Sequence, residues 1–210
     1  MIRQPRRTRL LAGSLAAVAG YVDAVGYLSL GGFFVSFMSG NSTRLGAGLA
    51  AGSISAAIAL ALIATFVAGV ALGARVAAGA SRAAILMLVA ALLAAAALCG
   101  SLGFATVSVG AATLAMGAVN STFSRDGELP VGLTYMTGTL VKLGQCMASL
   151  ERRGKGAEAL TYAAHWLSLI AGATIGALVH GAIGLSALWL AALAIAALAP
   201  MRDERMPSPP

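Results

Sequence analysis

Two short patches of the chain combine residue types that can hold an anion. In the first, Ser39, Gly40 and Asn41 are followed by Arg44; in the second, Thr137, Gly138 and Thr139 are followed by Lys142. Each has a hydroxyl residue before a glycine and a cation four residues after it. Ser, Thr and Asn favour helix N-caps, so each patch reads as the start of a short helix. The unpaired N–H groups of a helix start carry about half a positive charge and attract anions. Arg44 and Lys142 each add a full charge. The chemistry expected here is reversible binding of a small anionic or polar solute. The competing reading makes each patch a glycine-packed kink whose cation snorkels to a membrane interface. The matched cation in both patches favours binding.

Asp23 is a third candidate, because it is the one acid within a long apolar run. A charge near a bilayer centre costs at least about 2.5–3.5 kcal/mol on insertion scales, so it needs a partner. Two roles are open: proton or ion coupling, or a structural ion pair with Arg44 or Lys142.

The elements that must position these groups follow from composition. Of 210 residues, 59% are hydrophobic and 10% charged, whereas a soluble domain carries about 25% charged residues. Most of the surface must therefore face a lipid bilayer. The net charge of +7 does not indicate nucleic acid, because the cations sit in short clusters between apolar runs. The apolar runs cover 10–30, 33–52, 54–74, 83–100, 102–123, 131–150, 159–181 and 182–199. The second and sixth are broken by the two polar patches. Arg3, Arg6, Arg7 and Arg9 before the first run could mimic a secretory signal, but that run extends to about Leu30 and has a later counterpart. It reads as a retained span.

The counterpart is part of a repeat. Phe37–Asn41 with Arg44-Leu45-Gly46 matches Tyr135–Thr139 with Lys142-Leu143-Gly144 at an offset of 98. Val22-Asp23 falls against Val119-Asn120, and Ala68-Gly69 and Gly73-Ala74 fall against Ala171-Gly172 and Gly176-Ala177. Asn120 cannot ionise, so any coupling role for Asp23 belongs to one half.

Charge then chooses the topology. If all eight runs cross, nine cations lie inside and three outside; if the two broken runs enter and leave on one face, twelve lie inside and none outside. Positive-inside counting favours the second arrangement. The expected fold is an all-α polytopic membrane protein with six transmembrane helices as two inverted three-helix repeats. The first repeat is 10–100, with spans at 10–30, 54–74 and 83–100 and a re-entrant segment at 31–52. The second is 102–199, with spans at 102–123, 159–181 and 182–199 and a re-entrant segment at 129–150. Each re-entrant segment combines an extended stretch (Gly31–Phe37, Leu129–Tyr135) with a half-helix. The basic stretch 1–9 and the polar tail 200–210 would both be cytoplasmic. This plan occurs in secondary transporters. Spans 83–100 and 182–199 hold almost no polar residue and are expected at the lipid-facing periphery.

The stretches Val22–Leu28, Gly31–Val35 and Met38–Asn41, together with Tyr135–Thr139, resemble the YoaK-like bacterial membrane family, a group of unknown function. The resemblance covers roughly 10–199, with Ser39 where a threonine is expected. It implies a six-span fold in the bacterial cytoplasmic membrane and implies no substrate or catalytic residue.

The remaining residues point to structure. Gly69/Gly73 and Gly172/Gly176 have the spacing of helix-packing faces. Cys99 and Cys146 lie in apolar surroundings without metal-ligand spacing. His165 and His180 read as packing or interfacial residues, His165 also as a candidate to assist proton movement. No hydrolase, zinc-protease or paired-Asp signature occurs, so neither an enzyme nor a cofactor is expected. The partners expected are lipid and the solute, and the sequence leaves a homodimer open. The alternative to a carrier is a non-transporting scaffold or sensor subunit.

Overall fold

Runs rich in Ala and Leu become helix, and the breaks between them fall at glycines with positive φ such as Gly31, Gly52, Gly103 and Gly184. A computed structural model describes residues 6–122, 136–152 and 154–201. Helices follow one another as α1 (Arg6–Ser29), α2 (Met38–Ala50), α3 (Ile54–Gly79), α4 (Arg82–Ser101), α5 (Ala105–Val119), α6 (Met136–Met147), α7 (Lys155–Ile183) and α8 (Leu188–Leu198). A 3-10 turn, Gly184–Ala187, joins α7 to α8. Among the described residues there is no strand. The second extended stretch expected from sequence, Leu129–Tyr135, lies outside the described residues, as do Arg125 and the tail 202–210.

Length separates the helices into groups. At 1.5 Å per residue, α1, α3 and α4 reach about 30–39 Å, enough for a hydrocarbon core of about 30 Å. The apolar run Lys155–Leu198 is 44 residues long and folds back at Gly184, whose φ of 59° only glycine adopts without cost. Among the described residues, four helical runs are thus long and apolar enough to cross a membrane. With 15, 13, 12 and 11 residues, α5, α2, α6 and α8 reach only about 17–23 Å, α8 being lengthened by the 3-10 turn before it. The span expected at 102–123 is an α-helix over Ala105–Val119, followed by a 3-10 turn at 120–122. The boundary expected at 181–182 falls instead at Gly184.

Glycine seams hold the helices together. In lipid the apolar effect does not drive helix association, so close packing must. On the α1–α7 crossing, a Cβ on Gly172 would fall 1.8 Å from the Ala17 carbonyl oxygen, one on Gly176 2.5 Å from that of Tyr21, and one on Gly20 2.1 Å from that of Leu169. On the α3–α5 crossing, Gly69 stands in the same way 2.2 Å from Leu114 O, Gly73 2.6 Å from Ala118 O, and Gly117 2.2 Å from Phe66 O. Each contact of one crossing thus has its sequence-repeat equivalent in the other. Further, α2 packs on α3 as α6 packs on α7.

The same contacts fix helix directions. Ala17 faces Gly172 and Tyr21 faces Gly176, so α1 and α7 run parallel; Ser29 Oγ also meets His180 Nε2 at 2.9 Å near their ends. Gly69 with Leu114 and Gly73 with Ala118 make α3 and α5 parallel. Arg82 Nε donates to Thr122 O at 3.2 Å, while Gly100 at the other end of α4 lies by Ser108, so α4 and α5 are antiparallel. Ser101 Oγ and Ser186 Oγ, 3.1 Å apart, bring the ends of α4 and α7 together.

The expectation that 83–100 and 182–199 form the periphery is overturned. Leu86, Val89, Leu93, Ala96 and Ala97 of α4 and Leu188, Ala191 and Ile195 of α8 are buried in the core cluster. The lipid-facing surface belongs largely to α3, with Ile54, Leu60 and Val67 exposed, and to α7, with Leu160 and Leu178 exposed. A helix apolar all round carries no mark of which side is inside, because lipid and protein core are equally apolar.

Candidate functional site

The sequence patches sit at the starts of the two short helices. Gly31 and Gly32, with φ of 62° and 100°, end α1 and turn the chain into the non-helical stretch before α2. Asp23, on α1, anchors that stretch. Its Oδ1 accepts the N–H groups of Val35 at 2.9 Å and Ser36 at 2.8 Å, and its Oδ2 accepts the Ser36 hydroxyl. Three donors on one carboxylate satisfy its charge without a cation. The ion pair with Arg44 or Lys142 considered from sequence is therefore not what holds Asp23.

Asn41 performs a second clamp. It is fully buried; its Nδ2 donates to Phe34 O at 2.7 Å and its Oδ1 accepts Phe34 N–H at 3.0 Å. The side-chain amide thus pairs with one peptide group on both edges, as a neighbouring strand would. Neither Ser39 nor Asn41 caps the helix. α2 begins at Met38 with Phe37 in the N-cap position and no side-chain cap. Asn41 is drawn into the helix by its clamp on Phe34, and Ser39 is exposed in the first turn. The Phe37 and Phe34 rings roof Gly40, where a Cβ would fall 2.6 Å and 3.1 Å from them. Those rings meet edge to face at 5.2 Å, and Tyr27 extends the cluster at 5.0 Å from Phe34.

Arg44 turns back from α2 over this cluster, its guanidinium 4.8 Å from the Phe33 ring centre and pressed against Gly32. Lys142 on α6 is exposed, with its ammonium 6.0 Å from the Tyr162 ring. Neither has an acidic partner among the described residues. The second patch differs at the position matching Asn41: Thr139 is 1% exposed, and its hydroxyl lacks a hydrogen-bond partner among the described residues. Thr137 is exposed and Gly138 half-buried. No side-chain contact joins the two patches among the described residues, and α2 and α6 share no substantial interface.

Sequence reasoning missed Ser36, the hydroxyl that completes the Asp23 site. A polar residue inside the apolar stretch 33–37 was the available signal. It also missed a groove between the starts of α1 and α7, described below. Among the described residues, no cluster of His, Cys, Asp or Glu has metal-binding proximity.

Long apolar helices, close glycine seams and clamped polar stretches inside the helical mass define an all-helical polytopic membrane protein. The chain belongs to the family described as protein of unknown function DUF1275, which matches residues 11–201. Neither a curated protein nor a solved structure matches it.

Proposed function

We propose that this protein is a carrier for a small anionic solute, with six crossings arranged as two inverted repeats. The observation that carries the reading is one cation without an acidic partner on each short helix, Arg44 and Lys142. The unmet Thr139 hydroxyl supports it, since a buried polar group left unsatisfied is costly unless something else fills its valence. In this reading Ser39, Gly40 and Arg44 receive the solute from one face and Thr137, Gly138, Thr139 and Lys142 from the other. Asn41 and Asp23 hold the first patch in shape, and Asp23 is the coupling candidate.

Helix directions support the topology. The ends of α4 and α7 meet, yet α5, α6 and α7 separate them along the chain. Two positions on one face require an even number of crossings between them, so one of the three helices does not cross. The 12-residue α6 is the short, polar-starting one. By the same directions α1 and α3 run opposite ways, which makes α2 the equivalent helix of the first half. Equivalent helices of the two halves then point in opposite senses.

A second reading, a non-transporting scaffold or sensor, draws support from the rings that roof Gly40 and from the complete internal use of the Asn41 amide. A ligand-induced thermal-shift screen of purified protein against inorganic anions and small carboxylates separates the two. A carrier is stabilised by at least one anion, and the Arg44→Gln/Lys142→Gln double variant loses that response. Absence of any stabilising anion, or hits undiminished in the double variant, would leave the scaffold reading in its place.

A further inference from the structure

Above the glycine seam α1 and α7 are in close contact; toward their starts they part and leave a groove of about 610 Å³. That volume falls within the range of about 300–1,000 Å³ typical of ligand sites. The groove is graded along its length. A Cβ on Gly13 would lie 3.6 Å from Ser168 Oγ, and Ala17 lies against Gly172, so His165, one turn before Ser168, stands level with Arg9 and Leu10. One end of the groove therefore holds Arg9 and His165, and the other is walled by Ala17, Ala171 and Ile175.

His165 is 6% exposed, lines the groove, and has no hydrogen-bond partner among the described residues. Its ring nitrogens are left to find a partner in the groove. Arg9 at the rim is exposed and likewise has no acidic partner among the described residues. The hydroxyls nearby do not answer this need. Ser168 and Thr161 donate to the carbonyls of Ala164 and Ala157 in their own helix. Ile175, 54% exposed, forms the rim at the apolar end, while Leu160, 72% exposed, lies beyond His165 at the other end, and between them the groove opens sideways onto the surface that faces lipid.

From this gradient we infer that the groove is a binding site for an anionic phospholipid. Its phosphate sits between Arg9 and His165, and one acyl chain runs past Ala17 and Ala171 to Ile175. A cation and an unpaired donor at one end match an anionic headgroup, and basic pockets between spans select such lipids. The apolar, laterally open remainder matches an acyl chain. This site shares no residue with the proposed solute site, and neither depends on the other.

The test uses the full chain purified in neutral detergent. It is titrated with phosphatidylglycerol, with phosphatidylcholine of the same acyl chains, and with glycerol phosphate as a headgroup lacking chains; bound lipid is counted by native mass spectrometry. The anionic lipid should bind about ten-fold or more tighter than the zwitterionic one, the ratio expected for a charge-assisted contact. Arg9→Gln, at an exposed position, and His165→Gln should each bring that ratio toward one. Ala171→Leu should weaken both lipids alike by filling the apolar end. Equal binding of the two lipids, or a ratio that survives in both Arg9→Gln and His165→Gln, overturns the assignment. So does glycerol phosphate competing as well as the intact lipid, which would mark a water-soluble ligand. A ratio lost in Arg44→Gln would overturn it too, by placing the lipid at the solute site.

Discussion

The hydroxyls of Ser101 and Ser186 meet at 3.1 Å, so the loop after α4 and the turn after α7 share one face of the protein. Single cysteines at Gly103 and Ser186 should therefore be labelled by an impermeant reagent from the same side of the membrane. A cysteine at Gly79, at the opposite end of α4, should be labelled from the other side. Labelling of Gly79 and Gly103 from one face would refute the six-crossing topology.

Asp23 binds three donors on the stretch before α2. Hydrogen bonds to a charged group contribute about 1.5–3 kcal/mol. Asp23→Asn, which turns one acceptor into a donor facing other donors, should lower thermal stability by an amount in that range. Ser36→Ala should cost less, about 1 kcal/mol, and the double change less than the sum, since both remove one contact. Additive losses in denaturation experiments would show that Asp23 and Ser36 act separately.

The glycines divide into two groups with opposite expected responses to alanine. At Gly69 and Gly172 the new methyl would lie 2.2 Å and 1.8 Å from a backbone carbonyl, which cannot move aside as a side-chain tip can. Each substitution should cost about 1–3 kcal/mol or more. Gly46 and Gly144, equivalent positions of α2 and α6, face open space. Alanine there should be neutral or should stabilise by up to about 1 kcal/mol through helix propensity. Thermal melts of the four single variants check the ordering.

Arg44 and Lys142 should separate in stability while agreeing in binding. Arg44 lies over the Phe33 ring at 4.8 Å, a contact of about 0.5–2 kcal/mol. Arg44→Gln should therefore lower the melting temperature, whereas Lys142→Gln, exposed and 6.0 Å from Tyr162, should barely change it. Each change should weaken any stabilising anion by about one to two decades. An affinity loss in only one of them would assign the solute to that half alone.

How much of this was legible in sequence depended on whether a signal is local. The long helices, the short polar-starting ones and the repeat were legible because apolar run length and the Gly-hydroxyl spacing are written along the chain. The seam glycines were legible as Gly69/Gly73 and Gly172/Gly176, though not that each pair closes on a helix of the other half. The central place of α4 and α8 was not legible, since residues such as Val89 and Ala191 suit lipid and core alike. The N-cap of α2 falls at Phe37, two residues before Ser39. Asn41 looked like a cap, but its amide found a better partner in the Phe34 peptide, and that pairing depends on a fold-back of the chain. Asp23 was legible as a residue needing partners; that they are the peptides of Val35 and Ser36 follows from the turn at Gly31 and Gly32.

The exchanged seams bear on how the chain is made. α1 closes on α7 and α3 closes on α5, so neither long-helix glycine seam closes within one half. During synthesis α1 enters the bilayer before α7 exists, so Ala17, Gly20 and Tyr21 lack their seam partners until α7 has been translated. The halves therefore mature together, like two interlocked clasps. Two separately translated fragments, divided between α4 and α5, would each be left with open seams that only the other can fill.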